Sequence, residues 1–405
     1  MTGTGKTFIT LLYLINQMKV KKDNQLDTIF IVPNKELAIQ IENWYNKINN
    51  NDNNNNQNYN LQVIYKDQHK EAEQEANLIK YKPNIIVSTP NRLLELIHKE
   101  NTLNLNSLSR IILDEVDHLL RLPTRHASLK KQWVRETHPK PSSIILDELI
   151  NKKQLNIKLL VMSATLNRGI RHYLKQRNWM KYPIYIDVNA DIANSIPTTL
   201  EHMCLVVSKE RVINLDTNPE SHKLMLPNIE EEQENKVKKE NIENNIIKVN
   251  DIQLLESIAL AAHADQVKKG LVFIPHSIKV EDVIIKLNKM GINAIDLQKS
   301  FPIQSNIIET EIEDIPKLYV SNYFNARGIE VCDLSHVFIL GYPGTIQDYQ
   351  HMAGRVGRLM GGQNHNSSWG RVITLIPQSN ANQHKMRTLY KLLNITLLDH
   401  PNIID

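Results

Sequence analysis

Apolar, β-rich runs recur along the chain at Thr28 to Val32, Leu61 to Tyr65, Ile85 to Val87, Arg110 to Leu113, Lys158 to Met162 and Ile184 to Val188. Between them, apolar residues at helical spacing predict helices over Lys6 to Lys19, Lys35 to Ile48, Glu71 to Ile79 and Arg92 to Lys99. Continuous apolar strands alternating with helices imply a parallel sheet covered on both faces. The pattern restarts at Gly270 to Ile274 and continues through Asn293 to Asp296, Lys317 to Val320, His336 to Leu340 and Arg371 to Ile376. The expected fold class is therefore α/β, with two tandem lobes, each a mainly parallel sheet covered by helices. The join falls near Asp191 to Pro197, which gives domains over 1–195 and 196–405.

Three stretches break the alternation. Asn49 to Asn60 is dominated by asparagine and has too little apolar surface to offset the entropy of ordering, so it reads as a flexible loop. Arg121 to Leu155 carries basic residues together with Pro139 and Pro141 and reads as an insertion. Ser208 to Asn250 is rich in Glu, Lys and Asn and reads as a disordered insertion, most clearly around Ile229 to Asn245.

Composition changes this picture little. A chain of 405 residues can bury two ordinary cores, and 41% hydrophobic with 23% charged residues is the balance of a globular protein. No apolar run is long enough to cross a bilayer, and Met1 leads into the first motif without a secretory or transit segment. Cys204 and Cys332 lie far apart within apolar runs and read as reduced core residues, so an intracellular, soluble protein is expected, its compartment open. A formal charge of +4 and a pI near 8.7 are compatible with a polyanionic partner and select none.

The chemistry begins at Met1-Thr2-Gly3-Thr4-Gly5-Lys6-Thr7. Glycines let a backbone curl until its N–H groups face phosphate oxygens; Lys6 can reach the β/γ-phosphates and the Thr7 hydroxyl can bind Mg²⁺. Such a loop ordinarily follows a buried strand, and none precedes it here. The chain therefore reads as N-terminally incomplete, with weak ATP binding and poor solubility expected of these residues on their own. Asp114, at the end of Ile111-Ile112-Leu113, would sit at the carboxyl edge of the sheet beside that loop.

The order of motifs extends the argument. Pro33-Asn34-Lys35-Glu36-Leu37-Ala38-Ile39-Gln40, Thr89-Pro90-Asn91-Arg92, Asp114-Glu115-Val116-Asp117 and Ser163-Ala164-Thr165 follow the phosphate loop. Asn325-Ala326-Arg327-Gly328-Ile329-Glu330 and His351-Met352-Ala353-Gly354-Arg355-Val356-Gly357-Arg358 come in the second half. The series resembles the DEAD-box family of ATP-dependent RNA helicases over nearly the whole chain. The resemblance implies two RecA-like lobes, ATP and Mg²⁺ as cofactors, and RNA as partner, with ribonucleoprotein partners besides. It implies that Thr2 to Thr7, Asp114 and Glu330 bind nucleotide, that Thr7 and Asp114 hold the metal, and that Glu115 orients or deprotonates the attacking water. Arg355 and Arg358 would stabilise charge on the transferred phosphoryl group, alongside Lys6. Asp117, Ser163, Ala164, Thr165 and His351 would couple nucleotide state to lobe closure. RNA would lie on Pro33, Lys35, Glu36, Gln40, Thr89, Pro90 and Arg92 of the first lobe, and on Ser277, Asn322, Arg327 and Gly328 of the second. Backbone contacts of that kind carry little sequence selectivity.

Several positions depart from the family's pattern. The adenine-recognition segment has no counterpart, Met352 replaces an arginine, Asn322-Tyr323 replaces a threonine-aspartate pair, Glu330 replaces aspartate and Lys35 replaces arginine. The leading expectation is RNA-stimulated ATP hydrolysis coupled to local duplex opening or ribonucleoprotein remodelling. A scaffold of the same fold that binds RNA with weak or lost ATPase is the alternative, and a DNA-directed or DEAH-type helicase is a third.

Overall fold

A computed structural model describes residues 5–20, 25–50, 60–67, 69–100, 102–123, 127–164, 166–186, 200–216, 252–300, 315–323, 331, 333–357 and 369–403. The chain separates into two units, one built mainly from Thr4–Val188 and the other mainly from Asn189–Ala326 and Glu330–Asp405.

The first unit holds strands β1 (Thr28–Ile31), β2 (Leu61–Ile64), β3 (Ile85–Ser88), β4 (Arg110–Leu113) and β5 (Lys158–Val161). They form a wholly parallel sheet in the order β2-β3-β1-β4-β5. Its helices are α1 (Lys6–Val20), α2 (Lys35–Asn50), α3 (Glu71–Tyr81), α4 (Pro90–His98), α5 (Val116–Leu120), α6 (Leu129–Thr137), α7 (Pro141–Leu146) and α8 (Arg168–Gln176). Successive strand residues face opposite sides: Phe30, Val32 and Ile112 pack with Leu11, Leu14, Leu37 and Ile41 of α1 and α2. Ile29, Ile31, Ile111 and Leu113 pack on the other face with residues of α4, α5, α7 and α8, among them Leu93, Leu119, Leu146 and Leu174. Burial on both faces explains why β1, β3 and β4 read as unbroken apolar runs, whereas β5 at the edge of the sheet is partly exposed along its length. At the amino ends of the strands, Asp27 accepts bonds from Arg110 Nε at 3.1 Å and Ser109 Oγ at 2.8 Å, locking β1 to β4.

The described part of Arg121 to Leu155, expected as an insertion, is helical rather than irregular: it contains α6, α7 and a π-helical turn at Asp147–Lys152, and Ile145, Leu146 and Leu149 are fully buried. Pro141 occupies the start of α7, where a missing N–H costs nothing, so proline opens this helix rather than breaking it. Ile184 to Val188 was expected as a strand, yet the described residues Ile184 and Ile186 are 89% and 86% exposed and carry no ladder. β5 ends the sheet among the described residues, and the described isoleucines form no ladder with its free edge, so their alternation is not matched by burial.

The second unit contains β6 (Leu200–Val207), β7 (Val212–Asn214), α9 (Ile252–Ala264), β8 (Lys269–Ile274), α10 (Val280–Lys289), β9 (Asn293–Asp296), β10 (Lys317–Asn322), β11 (His336–Leu340), α11 (Ile346–Ala353), β12 (Gly370–Pro377) and α12 (Asn380–Leu393). The sheet order is β7-β6-β12-β11-β8-β10-β9, parallel except for β7. β7 corrects the expectation of disorder from Ser208 onward. The Ser208 N–H donates to Arg211 O at 2.9 Å and its hydroxyl accepts from Arg211 N at 3.1 Å, which closes a turn and returns the chain antiparallel to β6. Residues 217–250 of that stretch, and 51–59 of the asparagine tract, lie outside the described residues.

Two buried networks set the frame of this unit. Asp265, at the end of α9, meets Arg371 Nη1 at 2.8 Å, His336 Nε2 at 3.3 Å and His400 Nε2 at 3.4 Å, fastening the C-terminal segment to β11 and β12. Burial works against the Asp265 carboxylate, but its hydrogen-bonding partners prevail and hold its pKa well below the usual range. On α11, Tyr349 Oη lies 2.7 Å from His202 Nδ1, and its ring meets Tyr390 edge-on at 5.5 Å. Burial pushes His202 down to about 4, so the imidazole is neutral at pH 7.

Candidate nucleotide and nucleic-acid sites

Helices that connect parallel strands run back against the strand direction, so their amino ends collect at the carboxyl edge of the sheet. In the first unit that edge gathers the ends of β1, β3 and β4 with the starts of α2, α4 and α5. Thr2, Gly3 and Thr4 of the phosphate loop lie outside the described residues. Gly5 has φ +72°, a left-handed conformation suited to glycine, and its carbonyl accepts the Ile9 N–H at 2.8 Å as α1 begins. Lys6 and Thr7 form the first turn of α1. The Thr7 hydroxyl donates to Asp114 Oδ2 at 2.5 Å, so the loop and the end of β4 come together as the sequence implied.

Asp114 is only 2% exposed. Burial, reinforced by the Glu115 charge, raises its carboxyl to about 7, against opposing pulls from Thr7 and Lys6. A buried carboxylate and a hydroxyl that already converge are a donor set for a hard divalent cation, whose charge would favour the ionised form. Glu115 follows in a left-handed conformation, φ 50°, and its N–H donates to Asp114 Oδ1 at 3.0 Å. The chain thereby turns sharply off the strand at the residue expected to handle water, a common place for backbone strain. Ser163 Oγ donates to Asp117 Oδ1 at 2.8 Å, which ties the acidic segment to the end of β5; Ala164 follows, and Thr165 lies outside the described residues.

One contact in this region was not anticipated. Thr10, buried on α1, donates to Met162 Sδ at 3.0 Å and joins the helix of the phosphate loop to the residue before Ser163. A threonine one turn into a helix looks like any other helical position in sequence, so nothing there announced the pair.

The residues expected to touch RNA divide by exposure. Pro33, Thr89 and Pro90 are half-buried at the carboxyl edge and Lys35 is exposed, while Asn34 Oδ1 caps α2 by accepting Leu37 N at 3.0 Å. Glu36 and Gln40 differ from expectation: they are 1% and 6% exposed, because positions four apart on α2 share the face that packs inward. Arg92 differs most. It is 4% exposed, and its guanidinium lies 2.8 Å from Glu75, 3.2 Å from Glu95 and 3.6 Å from Glu71, so it clamps α3 to α4.

In the second unit, Ser277 is exposed in the turn after β8, and Asn322 ends β10. Tyr323 turns inward and donates its hydroxyl to the Leu340 carbonyl; burial raises the phenol's pKa. His351 lies on α11, and Arg355 Nε donates to the His351 carbonyl at 3.2 Å. Met352 is buried. A Cβ on Gly370 would fall 2.5 Å from Val356 Cγ2 and 3.0 Å from Gly357 N, so glycine is required where β12 passes under the arginine segment. Arg327, Gly328, Glu330 and Arg358 lie outside the described residues. Cys204 is buried with a free thiol, pushed up to about 12 by burial, while Cys332 is outside the described set.

Comparison with known proteins adds relatives to this geometry. The family model for DEAD/DEAH box helicases matches residues 1–173, and that for the helicase conserved C-terminal domain matches residues 250–360. The chain is 24% identical over 358 residues to the DEAD-box ATP-dependent RNA helicase CshB of Listeria monocytogenes, covering 88% of this chain and 66% of that one. It is 24% identical over 375 residues to the mitochondrial ATP-dependent RNA helicase MSS116 of Saccharomyces cerevisiae, covering 88% and 48%. The chain thus spans between about half and two thirds of the length of these relatives. Among solved structures, the DEAD-box helicase Mss116 bound to single-stranded RNA and UDP-BeF superposes with a TM-score of 0.64 at 19% identity, covering 98% of this chain and 69% of the other. No described helix is long and apolar enough to cross a membrane.

Proposed function

The chain belongs to the DEAD-box family of superfamily 2 helicases, and on that premise we propose that it is an ATP-dependent RNA helicase. In this reading, residues 1–195 bind ATP, residues 196–405 complete the helicase, and hydrolysis resets a grip on RNA. The observation that carries the reading is the convergence of the Thr7 hydroxyl on the buried Asp114 carboxylate, with Glu115 next in chain and Asp117 tied to Ser163.

Each residue has a part in this account. Thr2 to Gly5 offer backbone N–H groups to phosphate oxygens and Lys6 an ammonium group. Thr7 and Asp114 hold Mg²⁺, which when bound neutralises charge on the phosphates. Glu115 orients the water and accepts its proton. Arg355 and Arg358 stabilise negative charge on the transferred group, and Glu330 takes the ribose. Asp117, Ser163, Ala164, Thr165 and His351 link nucleotide state to the hold on RNA. Pro33, Lys35, Thr89 and Pro90 offer an accessible first-unit surface for a strand, joined by Ser277, Asn322, Arg327 and Gly328. Glu36, Gln40 and Arg92 contribute by holding the helices that present that surface. Contacts to the sugar-phosphate backbone alone leave sequence unread, so ribonucleoprotein partners would choose the target.

Met352 and the inward Tyr323 favour a second reading, an RNA-binding scaffold of the same fold that turns over ATP poorly. Affinity for a fluorescent single-stranded RNA, measured by anisotropy with no nucleotide and with AMP-PNP and Mg²⁺, separates the two. The helicase reading expects the ATP analogue to tighten RNA binding several-fold; equal affinity in both conditions supports the scaffold, and no RNA binding refutes both.

A further inference from the structure

We propose that Arg121, Arg135 and Lys140 form a phosphate-binding cluster that holds backbone phosphates of an RNA strand on the first unit. The cluster belongs to the segment between β4 and β5 and takes RNA as its ligand on the strength of the function proposed above.

Position is the first support. α7 packs against α4, and both helices connect parallel strands and run back against them. His98 at the end of α4 pairs with Glu148 just past the end of α7 at 2.9 Å, so their carboxyl ends lie together. Their amino ends therefore share the carboxyl edge of the sheet: Lys140 caps α7 there as Thr89 caps α4. Arg121 caps the far end of the short α5, which leaves that same edge directly after Glu115.

Charge is the second support. Arg135 Nη2 is buried with no hydrogen-bond partner among the described residues, and neither Arg135 nor Lys140 makes an ion pair among them. Burial lowers the pKa of Arg135, with Arg121 adding to the shift and Tyr173 opposing it. Lys140 is lowered by burial and then by Arg135 and Arg121. The charged neighbours acting on Lys140 are thus cations alone. Half-buried cations that repel one another are stabilised by an anion with several acceptor oxygens, and a guanidinium fork matches a phosphate. Such contacts fix a strand's position and read no bases.

The test is the salt dependence of RNA binding by the full chain, read by anisotropy of a fluorescent oligouridylate across a potassium chloride series. Arg135→Gln combined with Lys140→Gln should weaken binding on the order of tenfold at low salt and make the log–log slope shallower by about 1 to 1.5. Arg135→Lys should keep the slope, and Lys175→Gln, an exposed cation on α8, should change neither quantity. Circular dichroism of each variant checks that it is folded. A folded double variant with wild-type affinity and slope would overturn the cluster and leave the helicase reading intact, whereas a wild-type chain that binds no RNA would overturn both. Inorganic phosphate raising the melting temperature of the wild type but not the double variant, with RNA slopes equal, would mean a small-anion site and would also overturn the proposal.

Discussion

Two arginines of the first unit stand in opposite surroundings. Arg92 lies in a motif and is enclosed by Glu71, Glu75 and Glu95; Arg135 lies in a segment of no recognisable motif, with Arg121 and Lys140 as its charged neighbours. The motif arginine is thus spent inside the protein, bracing α3 against α4 and so steadying the start of α4 at Thr89 and Pro90. The other is left with unsatisfied donors. A cation's availability to a polyanion is decided by the carboxylates around it, not by the motif that contains it.

The largest way to sharpen this contrast is Arg92→Leu. It leaves three carboxylates facing one another, and urea unfolding should show a loss of about 3 kcal/mol. Acidification comes next. Glu75 is held below its ordinary value chiefly by Lys99, and Glu95 chiefly by Lys66, with Arg92 acting on both. Their folded pKa values are depressed, so their stabilisation is present above the unfolded value of 4.5 and is lost as pH falls through the folded values. A urea midpoint measured from pH 6 to pH 3 should therefore fall, and fall less in Arg92→Leu. Arg135→Gln should act in the opposite sense. Its folded pKa is also depressed, but for a cation this means a cost at every pH below the folded value, so removing the charge should raise stability or leave it within about 1 kcal/mol of wild type. The smallest effect belongs to Lys66→Ala: it removes the chief partner of Glu95, but the bridge is exposed, so the urea midpoint at pH 7 should fall only slightly. A marked loss of stability in Arg135→Gln, or none in Arg92→Leu, would break the comparison.

The central strands were legible in sequence because burial on both faces leaves unbroken apolar runs; Arg110–Leu113, Lys269–Ile274 and His336–Leu340 stand where their runs lie. The meeting of Thr7 with Asp114 was legible because each stands in a short motif of adjacent residues, and a hydrogen bond joins the two across the fold. Ile184 and Ile186 misled because alternation records a face and not the presence of a neighbouring strand. Pro141 misled because proline marks a helix start as readily as a break, and Pro139 lies in the short link between α6 and α7. Arg92, Glu36 and Gln40 show a different limit: side-chain direction and counter-charge arise from helix packing, which no motif spells out. The pairing of Thr10 with Met162 is of the same kind.

The account rests on ATP turnover that depends on RNA and on Glu115, and the most direct measurement is the rate of phosphate release by this chain and by Glu115→Gln, each with and without single-stranded RNA. The account predicts hydrolysis that RNA stimulates in the wild type and that falls by at least about 100-fold in Glu115→Gln, while Glu115→Gln still binds RNA. RNA-stimulated hydrolysis that survives unchanged in Glu115→Gln would contradict the placement of the reacting water beside Asp114.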